Sequence, residues 1–254
     1  MAVQVHTADA VTTLTLDTPH NRNALSTILV DELTAGLVDA GKDPGIRAVV
    51  LAHTGNTFCA GADMSEAGGS VEGRTAQMLG LLRLILETPK PVIGKIDGHV
   101  RAGGMGLVGA CDIVVAGPGS TFALTEARLG LAPSVISLTV LPRLGSRAAS
   151  RYFLTGEKFG AHEAEAIGLV SAAASDPKSM IDELVASISQ ASPQGLAESK
   201  WLTAASILAE FDRHGEDLAA HSARLFASEE AREGMMAFLQ KRPPSWAIPN
   251  TEKK

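Results

Sequence analysis

The sequence predicts an α/β protein, on three observations. Short apolar, β-branched runs of strand length recur along the first half of the chain, and helical patterns of three to four turns separate them. Apolar residues make up 45% of the 254 positions and aromatic ones only 4%, so the core must be aliphatic. The chain is long enough to bury a large core without disulfide or metal staples.

Val3–Thr7 and Val11–Asp17 alternate with a period of two around Ala8-Asp9, which predicts a hairpin. A helix follows, capped by Ser26, with Leu29, Leu33 and Leu37 on one face and Gly41 and Pro44 at its end. Ala48–Ala52 reads as a strand buried on both faces. Another helix is expected from about Thr75 to Glu87, stopped by Thr88-Pro89-Lys90-Pro91, with strand Val92–Ile96 directly after it. A Gly-rich stretch, Gly98 to Gly109, leads to a strand at Asp112–Ala116 and the turn Gly117–Ser120. From about Ser146 the pattern becomes helical, with a possible short strand at Gly168-Leu169-Val170. Ser192-Pro193 restarts a helix, which divides the chain into a core, 1–191, and a helical region, 192–254.

The charge balance, 28 acids against 22 Lys and Arg for a net −6, argues against a nucleic-acid partner, whose affinity needs a basic face. No run of about 18 apolar residues predicts a membrane span, and no basic-then-apolar start predicts a signal peptide. Cys59 and Cys111 are too few for a disulfide framework and have no metal-ligand spacing, so the expectation is a cytoplasmic protein without a metal or redox cofactor.

Two Gly-rich segments follow predicted strands: Phe58-Cys59-Ala60-Gly61-Ala62-Asp63-Met64, and Asp97-Gly98-His99-Val100-Arg101-Ala102-Gly103-Gly104-Met105-Gly106-Leu107. Small residues let backbone approach a ligand, and two such loops can aim two N–H groups at one oxygen. An oxyanion hole of this kind contributes about 2.7–4 kcal/mol per donor in acyl chemistry. On composition alone, close helix packing is the favoured reading of such segments. The Gly104-x-Gly106-x-x-Gly109 match to a dinucleotide fingerprint fails on context, because its first glycine does not directly follow a strand and no acid ends the next one.

With Ala60–Met64 and Gly98-x-x-x-Ala102-Gly103-Gly104-Met105-Gly106-Leu107 come Ala110–Ala116, Phe122–Pro133, Leu154-Thr155-Gly156 and Ala164-x-x-x-Gly168-Leu169-Val170. In this order and over nearly the whole chain, they resemble the enoyl-CoA hydratase/isomerase (crotonase) superfamily. The resemblance implies a crotonase-like spiral of ββα repeats with a C-terminal helical trimerisation region, and a homotrimer or dimer of trimers. It puts the two thioester-polarising N–H groups on Ala62 and Gly103. The substrate it implies is an acyl-CoA, with coenzyme A as part of the substrate and no prosthetic group.

The family's hydratases carry two glutamates. Here the second position is Glu126 and the first is Gly106, which cannot transfer a proton. Hydration divides readily between two carboxylates. One carboxylate can relay a proton from water to the α-carbon, or carry one between C2 and C4 of a 3-enoyl thioester. The resemblance therefore leaves open a 2-enoyl-CoA hydratase, a Δ3,Δ2-enoyl-CoA isomerase and a weakly catalytic acyl-CoA binder, with the hydratase preferred. After Pro133 the family has Gly-rich sequence, whereas Ser134, Val135, Ile136 and Ser137 stand here, which alters the acyl-pocket wall.

Coenzyme A contacts are expected from Arg22 and Ala24 in the His20–Leu25 loop, from Ala60, Asp63 and Met64, and from Lys241 and Arg242 in the tail. Met105 also adjoins a donor loop. His99 and Arg101 serve either as a stand-in acid and phosphate contact or as solvated loop residues; His53 reads as structural, and Glu66 as a helix-surface acid.

Overall fold

The hairpin forms because Asp9 and Ala10 both take positive φ, 50° and 61°, the pair of conformations that matches the twist of the strands they join. It links β1 (Val3–Ala8) to β2 (Val11–Leu16), with Val3 opposite Leu16. Helix α1 (Thr27–Lys42) starts where the Ser26 side chain accepts from the Leu29 N–H, and it buries Leu29, Leu33 and Leu37 completely. Truncating any of the three to Ala costs about 2–5 kcal/mol. The computed structural model of the protein describes residues 1–63 and 70–248.

After α1 the chain repeats one unit. Strand β3 (Ala48–His53) is followed by the short β4 (Thr57–Cys59) and helix α2 (Val71–Glu87). Next come β5 (Val92–Ile96), β6 (His99–Arg101) and α3 (Gly103–Ala110). The third unit is β7 (Ile113–Ala116), β8 (Thr121–Ala123), a 3-10 turn at Glu126–Leu129 and α4 (Ser134–Val140). The first strand of each unit joins a six-stranded sheet, order β1-β2-β3-β5-β7-β10, with β10 at Ala172–Ala173, and the second joins a four-stranded sheet, order β4-β6-β8-β9, with β9 at Phe159–Gly160. This is the expected spiral of ββα repeats.

The remaining elements are α5 (Ser146–Thr155), β9 (Phe159–Gly160), α6 (Ala161–Ala166), β10 (Ala172–Ala173) and α7 (Pro177–Ile188). The C-terminal helical region follows as α8 (Pro193–Phe226) and α9 (Glu229–Leu239). Two sequence expectations shift. Helix α2 begins at Val71 rather than near Thr75, because Ser70 caps it by accepting from Gly73 N at 2.9 Å. Gly168-Leu169-Val170 is a turn, with Gly168 at φ +87°, and the sixth strand of the large sheet lies just beyond it at Ala172–Ala173.

One buried ion pair fastens α8 to the sheet layer. Lys200 Nζ lies 2.7 Å from Asp112 Oδ2 and donates to the carbonyls of Ile85 at 2.7 Å and Lys90 at 3.0 Å. Asp112 Oδ2 also accepts from Val92 N at 2.7 Å. Burial pulls the Lys200 pKa below that of an ordinary lysine, and Asp112 opposes the shift.

Candidate active site

The four-stranded sheet positions the site. Strands β4, β6 and β8 run parallel, with Cys59 beside Val100 and Arg101 beside Ala123. Just beyond their C-terminal ends come Ala62, Gly103 and Glu126 respectively. Loops leaving adjacent parallel strands at one end of a sheet converge, which is why such ends are ligand sites.

The two donor loops touch. A β-carbon placed on Gly61 would lie 2.7 Å from Ala102 Cβ and 3.5 Å from Gly103 N, so nothing larger than glycine fits between them. Gly61 also has φ +96°, a conformation that L side chains rarely adopt. Around Ala62, the Gly61 carbonyl accepts from Leu25 N at 2.8 Å and Asp63 N donates to Leu25 O at 3.3 Å. Both neighbours therefore face Leu25, and by the alternation of extended chain the Ala62 N–H points the other way. Gly103 is the first residue of α3, where N–H groups have no partner within the helix. Ala102 precedes it at φ 45°, ψ −120°, an unfavourable conformation for a residue with a β-carbon.

Glu126 opens its 3-10 turn and is 8% exposed. Its Oε2 is buried without a hydrogen-bond partner. Burial pushes the carboxyl up to about 7, opposed only by a hydrogen bond to its own backbone N–H. A carboxyl poised near neutrality can both take and give a proton.

The position before the wall is apolar. A β-carbon on Gly106 would lie 2.6 Å from Ile136 Cγ2 and 3.2 Å from Met78 Cε. Ile136 thus occupies the space into which a side chain at 106 would project. Met78 also approaches Gly103, at 3.6 Å from a β-carbon placed there, with Leu25 Cδ1 at 2.8 Å. Met78 was not singled out from the sequence; it is one of several apolar residues in the helical pattern of α2, and pattern alone does not say which of them faces the donors.

Four of the expected coenzyme A contacts come together around the first donor loop. Ala60 N donates to Arg22 O at 3.1 Å, Asn21 Nδ2 donates to Asp63 Oδ2 at 3.0 Å, and Ala24 N donates to Asn21 Oδ1 at 3.3 Å. The fully buried Asn23 fixes this loop: its Oδ1 accepts from Thr18 N, and its Nδ2 donates to the carbonyls of Thr54 and Thr57. The Arg22 side chain is exposed. Met64 and Glu66 lie outside the described residues. Lys241 and Arg242 sit past the end of α9, and Arg242 forms a two-pronged pair with Glu233, both contacts at 2.7 Å.

The other candidates have structural duties. Arg101 donates to the carbonyls of Val100 and Thr121, each at 2.7 Å, and burial lowers its pKa. His99 Nδ1 pairs with Thr121 Oγ1 at 2.9 Å. His53 Nε2 accepts from Asp97 N at 3.2 Å, and burial lowers its pKa. Among the described residues no group of three or more His, Cys, Asp or Glu could hold a metal ion, and no helix is long and apolar enough to cross a membrane.

A family model described as enoyl-CoA hydratase/isomerase matches residues 6–249. The chain belongs to the enoyl-CoA hydratase/isomerase family. It is similar to a protein named probable enoyl-CoA hydratase in Bacillus subtilis, 32% identical over 96% of this chain and 98% of that one. Among solved structures, an enoyl-CoA hydratase from Mycobacterium avium is 59% identical with a TM-score of 0.92, covering 97% of this chain and 99% of that one. A methylmalonyl-CoA decarboxylase in complex with 2-nitronate-propionyl-CoA is 25% identical with a TM-score of 0.85, covering 98% and 99%. The fold is accordingly the crotonase fold. The chain is an enzyme of this family, whose members act on coenzyme A thioesters and need no prosthetic group.

Proposed function

We propose that this protein hydrates 2-enoyl-CoA thioesters. The N–H groups of Ala62 and Gly103 donate to the thioester carbonyl and stabilise the enolate-like charge that develops on it. Glu126 accepts a proton from water as its oxygen bonds to C3, then returns that proton to C2, so the carboxylate ends as it began. The observation that carries this reading is the buried Glu126 carboxyl, with a free Oε2 and a pKa near 7, beyond the end of β8 and so at the same end of the sheet as the two donor loops, which follow β4 and β6. Arg22, Ala24, Ala60, Asp63, Met64, Lys241 and Arg242 border the coenzyme A portion of the substrate. To reach a phosphate, Arg242 must exchange its partner Glu233.

A second reading, isomerisation of 3-enoyl-CoA, has its own support in the apolar wall of Ile136 and Met78 at Gly106. With no second carboxylate there to help hold water, a single base moving one proton between C4 and C2 is the simpler task. Self-association of the C-terminal helices, as a homotrimer or a dimer of trimers, would cover the exposed Trp201 and Leu202 of α8 and Met236, Phe238 and Leu239 of α9.

The deciding experiment supplies a 2-enoyl-CoA and, separately, a 3-enoyl-CoA, and follows the absorbance of the conjugated thioester. Loss of absorbance from the first is expected for the hydratase. Gain from the second with none lost from the first makes the isomerase the function. Inertness toward both, with tight binding, means a binder.

A further inference from the structure

The Oε2 of Glu126 has no hydrogen-bond partner, so that oxygen is aimed by the backbone that carries it. This backbone is the Glu126–Leu129 turn, closed where Gly130 N and Leu131 N both donate to the Glu126 carbonyl. Two elements hold the turn from outside. At one side Arg128 donates twice to the Thr155 carbonyl at the end of α5, at 2.9 and 2.7 Å. At the other side α9 rests on it backbone to backbone. A β-carbon on Gly130, which has φ +71°, would lie 2.6 Å from the Glu230 carbonyl carbon and 2.9 Å from Ala231 N. One on Gly234 would overlap the Leu129 carbonyl, 2.5 Å from its carbon and 2.7 Å from Leu129 Cα. Neither glycine can gain a methyl unless helix and turn separate.

We propose that Gly234 is a positioning residue for Glu126: it lets α9 seat directly on Leu129–Gly130 and so fixes the turn that aims the carboxyl. The inference rests on Glu126 being the proton carrier. Helix α9 is well suited to act as a rigid support. Ser228 caps its start by accepting from Ala231 N at 3.1 Å, and Arg242, just past its end, reaches back to clasp Glu233 in its middle. A gap forced at Gly234 therefore passes to the turn rather than being absorbed by fraying.

The test is Gly234→Ala in the full chain. Alanine is the better helix former, so α9 itself persists and only its seat is disturbed. The expected result is a kcat about ten- to a hundredfold lower, because displacement of a reacting group by about an ångström has effects of that order, with acyl-CoA binding changed less than about twofold. The carboxyl titration of Glu126, followed by infrared difference spectroscopy and assigned by its loss in Glu126→Gln, should move down toward that of a solvated glutamate. The charged groups on the packed elements, Arg128 on the turn, Arg147 and Arg151 on α5, and Glu229, Glu230, Arg232 and Glu233 on α9, are untouched by the substitution. Should Gly234→Ala not fold, Ala231→Gly removes a fully buried methyl from the same seam without a clash, and the same changes are expected at about two- to threefold. Unchanged kcat and titration in the folded variant overturn the inference, as does a parallel fall of kcat and binding. Full activity of Glu126→Gln would instead remove the reading it rests on.

Discussion

The two sides of the active site are made of different material. On the proposed donor side the groups are the backbone N–H groups of Ala62 and Gly103, and the loops that carry them press against each other through Gly61 and Ala102. On the proton side the proposed mechanism rests on one side chain, Glu126, whose counterpart position is Gly106 against Ile136. Backbone donors are set by conformation and tolerate changes of side chain that keep it. A lone carboxyl tolerates none, so the two sides should differ sharply in how they fail.

Glu126→Gln gives the largest effect. Turnover should fall by about a thousandfold or more while acyl-CoA binding stays nearly intact, which steady-state kinetics and titration calorimetry together measure. Retained turnover would mean that another residue moves the proton. The same variant should be more stable than the wild type at pH 8. The folded-state pKa of Glu126, about 7, lies above the ordinary glutamate value of 4.5, so the folded state holds the proton more tightly and wild-type stability declines as pH rises from about 4.5 through about 7. The full loss is on the order of 3 kcal/mol. Urea melts of both proteins at pH 5 and pH 8 show it as a gap that opens only at the higher pH.

Gly61→Ala probes the donor side. The new methyl must adopt φ +96° and would meet Ala102 Cβ at 2.7 Å, so the loops must part. Loss of about 2 kcal/mol in urea unfolding is expected, with kcat down about a hundredfold, the order seen when one oxyanion donor is removed. A wild-type kcat in a destabilised protein would detach the Ala62 N–H from the chemistry. Ala102→Gly has the smallest expected effect. It relieves a strained φ of 45° and should raise stability by about 1 kcal/mol or less. A net loss would mean that the Ala102 methyl contributes more through its contact with Gly61 than it costs in backbone strain.

The same division governs what could be read in advance. Ser26 with Leu29, Leu33 and Leu37 announces α1, and the runs at 48–52 and 92–96 announce β3 and β5, because periodicity and caps are local properties. The four-stranded sheet leaves no such mark. Its strands, such as Thr57–Cys59 and His99–Arg101, are three residues or fewer, too short for any period to register. Helix α4 is hidden for a related reason: Ser134–Val140 is almost wholly buried, so it has no polar face to reveal its turn. At the site, Gly-rich spacing and family resemblance pointed to Ala62, Gly103 and Glu126. That Glu126 would be buried with an unpartnered oxygen, and that Ile136 and Met78 would close the space at Gly106, depends on packing between segments distant in sequence.

The Lys200 ammonium has three protons and meets three oxygens drawn from different parts of the chain: Ile85 O on α2, Lys90 O in the loop after it, and the Asp112 carboxylate just before β7. Sliding α8 by one turn, about 5.4 Å, would strand a charge in a buried place with none of them. The long helix therefore has a single register on the sheet layer, like a key whose one cut tooth fits one ward. That ward exists only where the end of α2, the approach to β5 and the start of β7 lie side by side, so the seat of α8 is built by three segments of the core at once.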